Sequence, residues 1–377
     1  VHAPASAPPT PAEPNPTPNV FGQAAAADEP LIRLVDSLLS EAVRLRASDI
    51  HVEALANQFK LRYRIDGVLH DVNSPPKALH GPVISRLKIM ASLNIAEKRL
   101  PQDGRLQLTV ADRAMDVRMS VLPALHGEAI VMRLLDRSQP VRGLSELGLS
   151  ESAQPSWEEL IHRPYGMVLV TGPTGSGKTT TLYATLAVLN RPDRKLITVE
   201  DPVEYQLPGV NQVQVKPAIG LSFAAGLRAM LRQAPDVIMV GEIRDVETAQ
   251  IAIQAALTGH LVFSTLHTND APGAVTRLVD MGIPPFLVAS TVQGVLAQRL
   301  VRRLCGSCTV RRMPTPEEQA VLGPAAIAEV GHGQGCDQCH RSGYFGRVGL
   351  YELLAVSESV RHLIVSKQPA SVLRQHA

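Results

Sequence analysis

The sequence predicts an α/β protein in which an N-terminal α+β domain is followed by a domain built on a mostly parallel sheet. Short strands paired through tight turns fill the first third of the chain. From residue 167 onward, short apolar runs alternate with helical stretches, the order expected for a parallel sheet covered on both faces. A glycine-rich loop at residues 172–179 joins the first of these runs to a helix, as in phosphate-binding loops.

Composition limits the classes of protein to consider. The 377 residues allow two or three domains, and 45% hydrophobic with 19% charged residues suits globular domains with real cores. A formal net charge of +2 gives no basic footprint for a nucleic-acid partner. No apolar run approaches the roughly 20 residues that span a bilayer, and no signal segment opens the chain, so we expect a cytoplasmic protein without a direct membrane span.

The chain divides into four predicted stretches. Residues 1–30 are rich in Pro and Ala without a hydrophobic period, which indicates a flexible linker. Residues 31–137 form the predicted α+β domain, and residues 138–150 an interdomain linker. Residues 151–377 form the P-loop domain, in which residues 300–345 are expected to make a small subdomain around the cysteines.

Local patterns predict the elements of the first domain. Leu31–Ala47 carries its apolar residues on one helical face, and Pro82–Leu93 also has a helical pattern. Turns are expected at Ile65–Gly67 and at residues 111–113, between strands with alternating apolar residues. The predicted strands are Asp49–Glu53, Phe59–Ile65, Gly67–Val72, Leu106–Val110 and Met115–Val121.

In the second domain, the strands are short apolar runs and the helices are the stretches between them. Asp245 is a good N-cap, and Gly259 and Gly282 lie where two helices should end. The predicted strands are Met167–Thr171, Leu196–Glu200, Val237–Val240 and Leu261–Leu266, and the predicted helices are Thr179–Asn190, Phe223–Gln233, Val246–Leu257 and Ala274–Met281.

The phosphate loop fits the pattern G-x-x-x-x-G-K-[S/T] in full, with an apolar strand before it and a helix after it. Its glycines let main-chain N–H groups curl around phosphate oxygens, and the helix points its N-terminal dipole at the same anion. Lys178 is expected on the β- and γ-phosphates of ATP, and the Thr179 hydroxyl on Mg²⁺. The predicted nucleotide-binding residues of this loop are Gly172, Pro173, Thr174, Gly175, Ser176, Gly177, Lys178, Thr179 and Thr180.

Two acidic groups follow apolar strands, and the carboxyl ends of parallel strands gather at one edge of the sheet. One strand leads to Glu242 through Gly241, which stands where an aspartate is usual. The other leads to Glu200 and Glu204. We assign Glu242 to the water shell of Mg²⁺ and Glu204 to the attacking water, roles that remain interchangeable, and expect Glu200 near the nucleotide. Helix capping or pairing with an arginine is the alternative for each acid.

His260 and His267 bracket the predicted strand Leu261–Leu266. A histidine at the end of a core strand can hydrogen-bond a γ-phosphate, so His267 is a candidate nucleotide-binding residue. A purely structural role is the alternative.

Four cysteines form two C-x-x-C pairs, Cys305 with Cys308 and Cys336 with Cys339. In a reducing compartment such pairs favour a metal over disulfides. Four thiolates close a tetrahedral Zn²⁺ site, whose role should be structural because no coordination position stays open. The long interval between the pairs requires a hairpin or small helix that bulges out. Two free dithiols or a redox pair are the alternatives.

Four sequence boxes follow one another along the chain: residues 172–179, Thr198–Tyr205, Gln233–Asp245 and Thr258–Asn269. In this order they resemble the Walker A, aspartate, Walker B and histidine boxes of the secretion ATPase superfamily, the motors of type II secretion, type IV pili and type IV secretion. The resemblance covers residues 31–377, and the cysteine pairs are similar to assembly motors rather than retraction motors. Gly273–Gly282 and Gln298–Cys305 resemble the type II branch most, with pilus-extension ATPases close behind.

The resemblance implies a PAS-like first domain, a RecA-like ATPase domain with a zinc-binding subdomain, and a homo-hexamer. This hexamer would be the cytoplasmic part of an inner-membrane secretion platform, peripheral to the membrane through partner proteins. Arg105 and Arg118 would meet the phosphates when the domains close, and Arg228, Arg232 and Arg244 would lie at subunit contacts. The family usually has aspartate at position 234, where this chain has alanine. It also usually has further C-terminal helix and an N-terminal domain that docks on the platform.

The expected function is hydrolysis of ATP to ADP and phosphate that drives pseudopilus assembly in type II secretion. Extension of a type IV pilus is the alternative within the superfamily. The near-neutral charge disfavours a nucleic-acid translocase. A nucleotide-gated scaffold with little turnover is the alternative of another class, disfavoured by the intact set of Lys178, Thr179 and Glu242.

Overall fold

The computed structural model describes residues 20–110, 112–138, 140–323 and 328–376, and the chain forms two compact units, residues 1–136 and 137–377. Residues 1–19 of the predicted linker lie outside the described residues. The rest of that linker is helical, because the helix that was expected from Leu31 begins at Val20 in an alanine-rich run of good helix formers. The segment 138–150 also differs from the predicted linker: Leu144 and Leu147 are buried in the second unit, and the Tyr351 hydroxyl donates to the Leu147 carbonyl oxygen (2.8 Å).

The described part of the first unit is a six-stranded sheet with two α-helices, and every pair of neighbouring strands is antiparallel, as the sequence predicts. The strand order is β3-β2-β1-β6-β5-β4. Strand β6 had no counterpart among the predicted strands. The elements are α1 (Val20–Arg44), β1 (Ala47–Ala54), β2 (Phe59–Ile65), β3 (Val68–Asp71), α2 (His80–Met90), β4 (Gln102–Val110), β5 (Arg113–Ala124) and β6 (Gly127–Asp136).

The core of the first unit lies between the two helices and the sheet. Leu39 of α1 and Leu87 of α2 are buried in one cluster with Ile50 and Leu61 of the sheet. The predicted turn before β3 is present, with Asp66 and Gly67 at positive φ, the geometry of a two-residue hairpin loop.

The second unit contains a seven-stranded sheet of order β15-β12-β7-β11-β10-β8-β9, parallel except for the β12–β15 pair. A separate two-stranded sheet joins β13 and β14. The elements are α3 (Ala153–Ile161), β7 (Gly166–Thr171), α4 (Lys178–Leu189), β8 (Leu196–Glu200), β9 (Asn211–Gln214), α5 (Phe223–Met230), β10 (Val237–Val240), α6 (Val246–Leu257), β11 (Leu261–Leu266), α7 (Ala271–Asp280), α8 (Pro285–Thr291), β12 (Val292–Leu304), β13 (Thr309–Arg312), α9 (Pro316–Leu322), β14 (Val330–Gly333), β15 (Tyr344–Ala355), α10 (Glu358–Val365) and α11 (Ala370–Gln375).

The four predicted central strands are confirmed, and they are buried on both faces. In β7, Met167 and Leu169 belong to one hydrophobic cluster, while Val168 and Val170 belong to another. Because both faces of these strands are buried, successive residues all need to be apolar. A strand with one exposed face needs an apolar residue only at every second position. Asp245 caps α6 as expected, because its carboxylate accepts from the Thr248 amide (2.8 Å).

Two long strands at one side of this sheet, β12 and β15, were not predicted. Strand β12 is buried from Val292 to Gln298 and mostly exposed from Arg299 to Leu304, so it shows neither a continuous apolar run nor a steady alternation.

Among the described helices of both units, none combines the length and apolar character needed to cross a bilayer.

Candidate active site and metal centre

The phosphate loop lies between the carboxyl end of β7 and the first residue of α4. Gly172, Gly175 and Gly177 all have positive φ, which only glycine adopts without strain. A Cβ on Gly172 would lie 2.3 Å from the carbonyl oxygen of Gln298, so this position also needs glycine for space. The first hydrogen bond of α4 joins the Thr181 amide to the Gly177 carbonyl oxygen (3.0 Å), and the preceding amides of the helix start have no acceptor within it.

Lys178 reaches back across this loop. Its ammonium donates to the carbonyl oxygens of Gly172 (2.8 Å) and Pro173 (3.1 Å). Burial lowers the pKa of Lys178, and the nearby negative charge of Glu242 opposes that effect. The structure therefore brings the predicted lysine and the predicted Walker B acid into one electrostatic site.

Glu242 follows β10, and its carboxylate contacts the side chains of Arg244 and His267. Its carboxylate accepts from Arg244 (2.5 Å), and its second oxygen lies 3.2 Å from Nε2 of His267. A Cβ on Gly241 would lie 3.3 Å from Cα of Glu200, a close backbone contact that disfavours a larger residue at the position where an aspartate is usual. The Walker B acid and the histidine-box residue thus meet across neighbouring strands.

Glu200 has a different environment from Glu242. It is 3% exposed and accepts hydrogen bonds from the hydroxyls of Tyr183 and Thr198 and from Nε2 of Gln212 (3.1 Å). Burial raises the pKa of its carboxyl, although these hydrogen bonds act in the opposite direction. The side-chain hydrogen bonds of Glu200 are with residues of α4, β8 and β9, and its predicted contact with nucleotide stays a prediction.

Glu204 lies beside the Tyr183–Glu200 pair. Its backbone amide approaches the Tyr183 hydroxyl (3.3 Å), and its charge contributes to raising the pKa of both Tyr183 and Glu200. The structure therefore groups Glu204 with Glu200, while Glu242 is grouped with Lys178 and His267.

Sequence reasoning missed Gln298 as a site residue. This side chain is 3% exposed, and its Nε2 donates to the Ser176 carbonyl oxygen (2.6 Å) while its Oε1 accepts from the Thr181 hydroxyl (2.8 Å). The available signal was a polar amide that directly follows the apolar run 295–297.

The arginines that the resemblance implies lie in both units of the chain. Arg105 and Arg118 lie directly opposite each other on β4 and β5 in the first unit. In the second unit, exposed Arg228 contacts Glu247 (3.0 Å), and Arg232 donates to the Arg228 carbonyl oxygen (3.1 Å). Arg244 contacts the catalytic candidate Glu242 itself.

The four cysteines come together as one cluster, and none forms a disulfide. The sulfur of Cys305 lies 3.8 Å from that of Cys336, and Cys308 and Cys339 lie 3.7 Å apart. A tetrahedron of thiolates about 2.3 Å from Zn²⁺ has S–S edges of about 3.8 Å, so the donor set fits this metal. The interval between the pairs holds the β13–β14 hairpin and α9, as expected from its length.

A glycine-curled loop between strand and helix, with a lysine and an acid from the adjoining strand ends, defines a P-loop nucleoside triphosphatase domain. The family described as "Type II/IV secretion system protein" matches residues 24–377. The chain therefore belongs to this family, and the superfamily resemblance is confirmed.

Curated relatives and solved structures agree with this assignment. Type II secretion system protein E of Pseudomonas aeruginosa is 52% identical over 352 residues, which covers 93% of this chain and 70% of that protein. The type II secretion system ATPase E of Vibrio cholerae is 51% identical with the same coverage. The type IV pilus assembly ATPase PilB of Myxococcus xanthus is 50% identical over 369 residues, or 96% of this chain and 65% of that protein.

The structure of the pilus retraction motor PilT with bound ADP has a TM-score of 0.60 and 29% identity, and covers 90% of this chain and 88% of that one. The predicted enzyme class, an ATPase of the secretion family, is confirmed by these comparisons.

Proposed function

We propose that this chain binds MgATP at residues 172–179 and hydrolyses it to drive pseudopilus assembly in type II secretion. The carrying observation is the single site formed by the curled loop, Lys178, Glu242 and His267. Main-chain amides and the Lys178 ammonium supply the positive potential that a triphosphate needs, and Thr179 at the helix start supplies a hydroxyl for Mg²⁺.

Glu242 and Glu204 have different roles in this proposal. Glu242 is within electrostatic reach of Lys178, which supports its assignment to the water shell of Mg²⁺. Glu204 lies with the buried Glu200 and remains the candidate for positioning the attacking water. Contact with His267 gives Glu242 a partner through which the γ-phosphate can be sensed.

The assembly belongs to the same proposal. By family resemblance, the chain acts as a homo-hexamer with a PAS-like first unit whose Arg105 and Arg118 meet the phosphates, with Arg228, Arg232 and Arg244 at subunit contacts. The ring would work in the cytoplasm against an inner-membrane platform, without nucleic acid. The cysteine cluster would hold one Zn²⁺ that stabilises its subdomain.

Replacing Lys178 tests the nucleotide site. Lys178→Ala should lower ATP turnover at least about 100-fold, because the mobile charge that follows the transferred phosphoryl group is lost. Phosphate release is measured together with the thermal midpoint, which should change little. Lys216→Ala removes an exposed lysine of the same unit and should leave turnover unchanged. Undiminished hydrolysis by Lys178→Ala contradicts the site assignment.

Extension of a type IV pilus is the second candidate, favoured by the 50% identity to an assembly ATPase of that system. Neighbouring genes decide between the two: a secretin with pseudopilins supports secretion, and pilins with a retraction motor support the pilus. ATP binding without turnover by assembled wild-type rings would instead support a nucleotide-gated scaffold.

A further inference from the structure

We propose that Gln298 is a positioning residue that fixes the direction of a phosphate-binding amide in the loop. The proposal rests on the proposed nucleotide role of residues 172–179. Gln298 belongs to β12, the strand next to β7, and its buried side chain enters the space beneath the loop. It bridges the Ser176 carbonyl oxygen and the Thr181 hydroxyl, and its own carbonyl oxygen packs against Gly172.

The hydrogen bond from Gln298 to the Ser176 carbonyl oxygen also determines the direction of the next amide in the chain. The Ser176 C=O and the Gly177 N–H belong to one planar trans peptide, in which the two groups point in opposite directions. When the carbonyl is held on Gln298 at 2.6 Å, the Gly177 N–H must point away from Gln298. In a loop of this pattern, such amides cradle the α- and β-phosphates.

Glycine at position 177 makes this restraint necessary. Its φ of +89° lies in a region where glycine moves between conformations at little cost, so the local backbone does not hold the peptide plane by itself. The Thr181 hydroxyl holds the other end of the Gln298 amide, on the second turn of α4. The glutamine therefore ties the peptide before the helix to the helix body, and both of its polar ends are satisfied.

Loss of the bridge should weaken the binding of ADP and ATP alike, because both nucleotides carry the α- and β-phosphates. Gln298→Met keeps the length of the side chain and removes both hydrogen bonds. We expect the Kd of MgADP and of MgATP to rise about tenfold, measured by calorimetry on the assembled protein. The turnover number at saturating ATP should fall less than the affinity does.

Gln293 offers a matched control on the same strand. It is 6% exposed, and its amide oxygen accepts from Arg163 (2.5 Å) and Arg361 (3.3 Å), away from the loop. Gln293→Met should lower the thermal midpoint about as much as Gln298→Met and leave both Kd values unchanged. Equal losses of affinity in the two variants, or wild-type affinity in Gln298→Met, would overturn the proposal.

Thr181 supplies a second test that does not depend on the folding of Gln298→Met. Thr181→Val removes the hydroxyl that anchors Gln298 and should raise both Kd values about threefold, while Thr181→Ser keeps the hydroxyl and should bind as the wild type does. Identical affinity of the Val and Ser variants would overturn the proposal. Failure of the wild-type protein to bind MgADP would instead overturn the nucleotide site itself.

Discussion

Two glutamates at the ends of neighbouring strands show how much the environment decides the role of a residue. Glu200 ends β8 and is enclosed by hydroxyl and amide donors, whereas Glu242 follows β10 and contacts Arg244 and His267. Both acids follow apolar strands, so the sequence placed them at one edge of the sheet and could not separate their partners. The partner Tyr183 comes from α4, and Gln212 comes from β9. Such partners are set by packing.

Burial of Glu200 should make stability depend on pH. Its pKa lies above the ordinary value of 4.5, so the folded state binds the proton more tightly than the unfolded state. The resulting stabilisation is complete below pH 4.5 and is lost as the pH rises through the folded pKa. Glu200→Gln has no proton to lose. The unfolding free energy of the wild type should therefore fall relative to the variant by about 1.4 kcal/mol per pH unit within that window.

Denaturant unfolding of both proteins between about pH 4 and 8 measures this difference. Glu146→Gln makes the same chemical change at an exposed position and serves as the control. A wild-type minus variant difference that is constant over this range, or that grows with pH, contradicts a raised pKa for Glu200.

Among the strands of the large sheet, the central ones could be predicted from the sequence, whereas β12 and β15 could not. Apolar runs identify strands that are buried along their whole length, as in β7 and β11. Strand β12 is buried in its first half and mostly exposed in its second half, and β15 pairs with it from Ala355 to Tyr344. Because the burial pattern changes along this strand, no single hydrophobic period identifies β12 in the sequence. This strand carries Gln298 and leads directly to Cys305.

The segment between residues 305 and 342, here called the cysteine lobe, has little apolar core among its described residues. Among the described residues between 305 and 342, the residues that are buried as a whole are Cys305 and Cys339. The Cys339 sulfur also accepts from the amides of Cys336 (3.2 Å) and Gly343 (3.3 Å), an arrangement that favours a thiolate. We therefore expect a bound metal to supply most of the folding free energy of this lobe.

We expect about one Zn²⁺ per chain in freshly purified, reduced protein, measured by elemental analysis. Removal of the metal by a chelator should expose the lobe to protease before the rest of the second unit, because its backbone then lacks a core. Cys339→Ser should lose the metal, while Ser307→Ala, a neighbouring surface change, should retain it. Protein free of zinc that keeps a protease-resistant lobe would contradict a structural metal site.

Candidate catalytic groups occur in both compact units of the chain. The phosphate loop and its acids belong to the second, while the arginines implied by family resemblance belong to the first. Arg105 and Arg118 are directly opposite each other on β4 and β5, so both lie at the same position along this sheet. The sequence motif alone located the loop, but only the register of β4 and β5 shows that these two arginines form a pair.

If this arginine pair stabilises charge in the transition state, its loss should affect turnover more than binding. Arg105→Ala should lower the turnover number by about 10³-fold, the lower end for arginines that enter such sites, while the Kd of MgADP changes less than about threefold. Arg113→Ala removes another exposed arginine of the same sheet, whose partner is Asp136 (3.7 Å), and should leave both quantities unchanged. Hydrolysis and calorimetry are measured at protein concentrations that favour rings. Equal losses of turnover and ADP affinity would make Arg105 a binding residue only, and would separate domain closure from the chemical step.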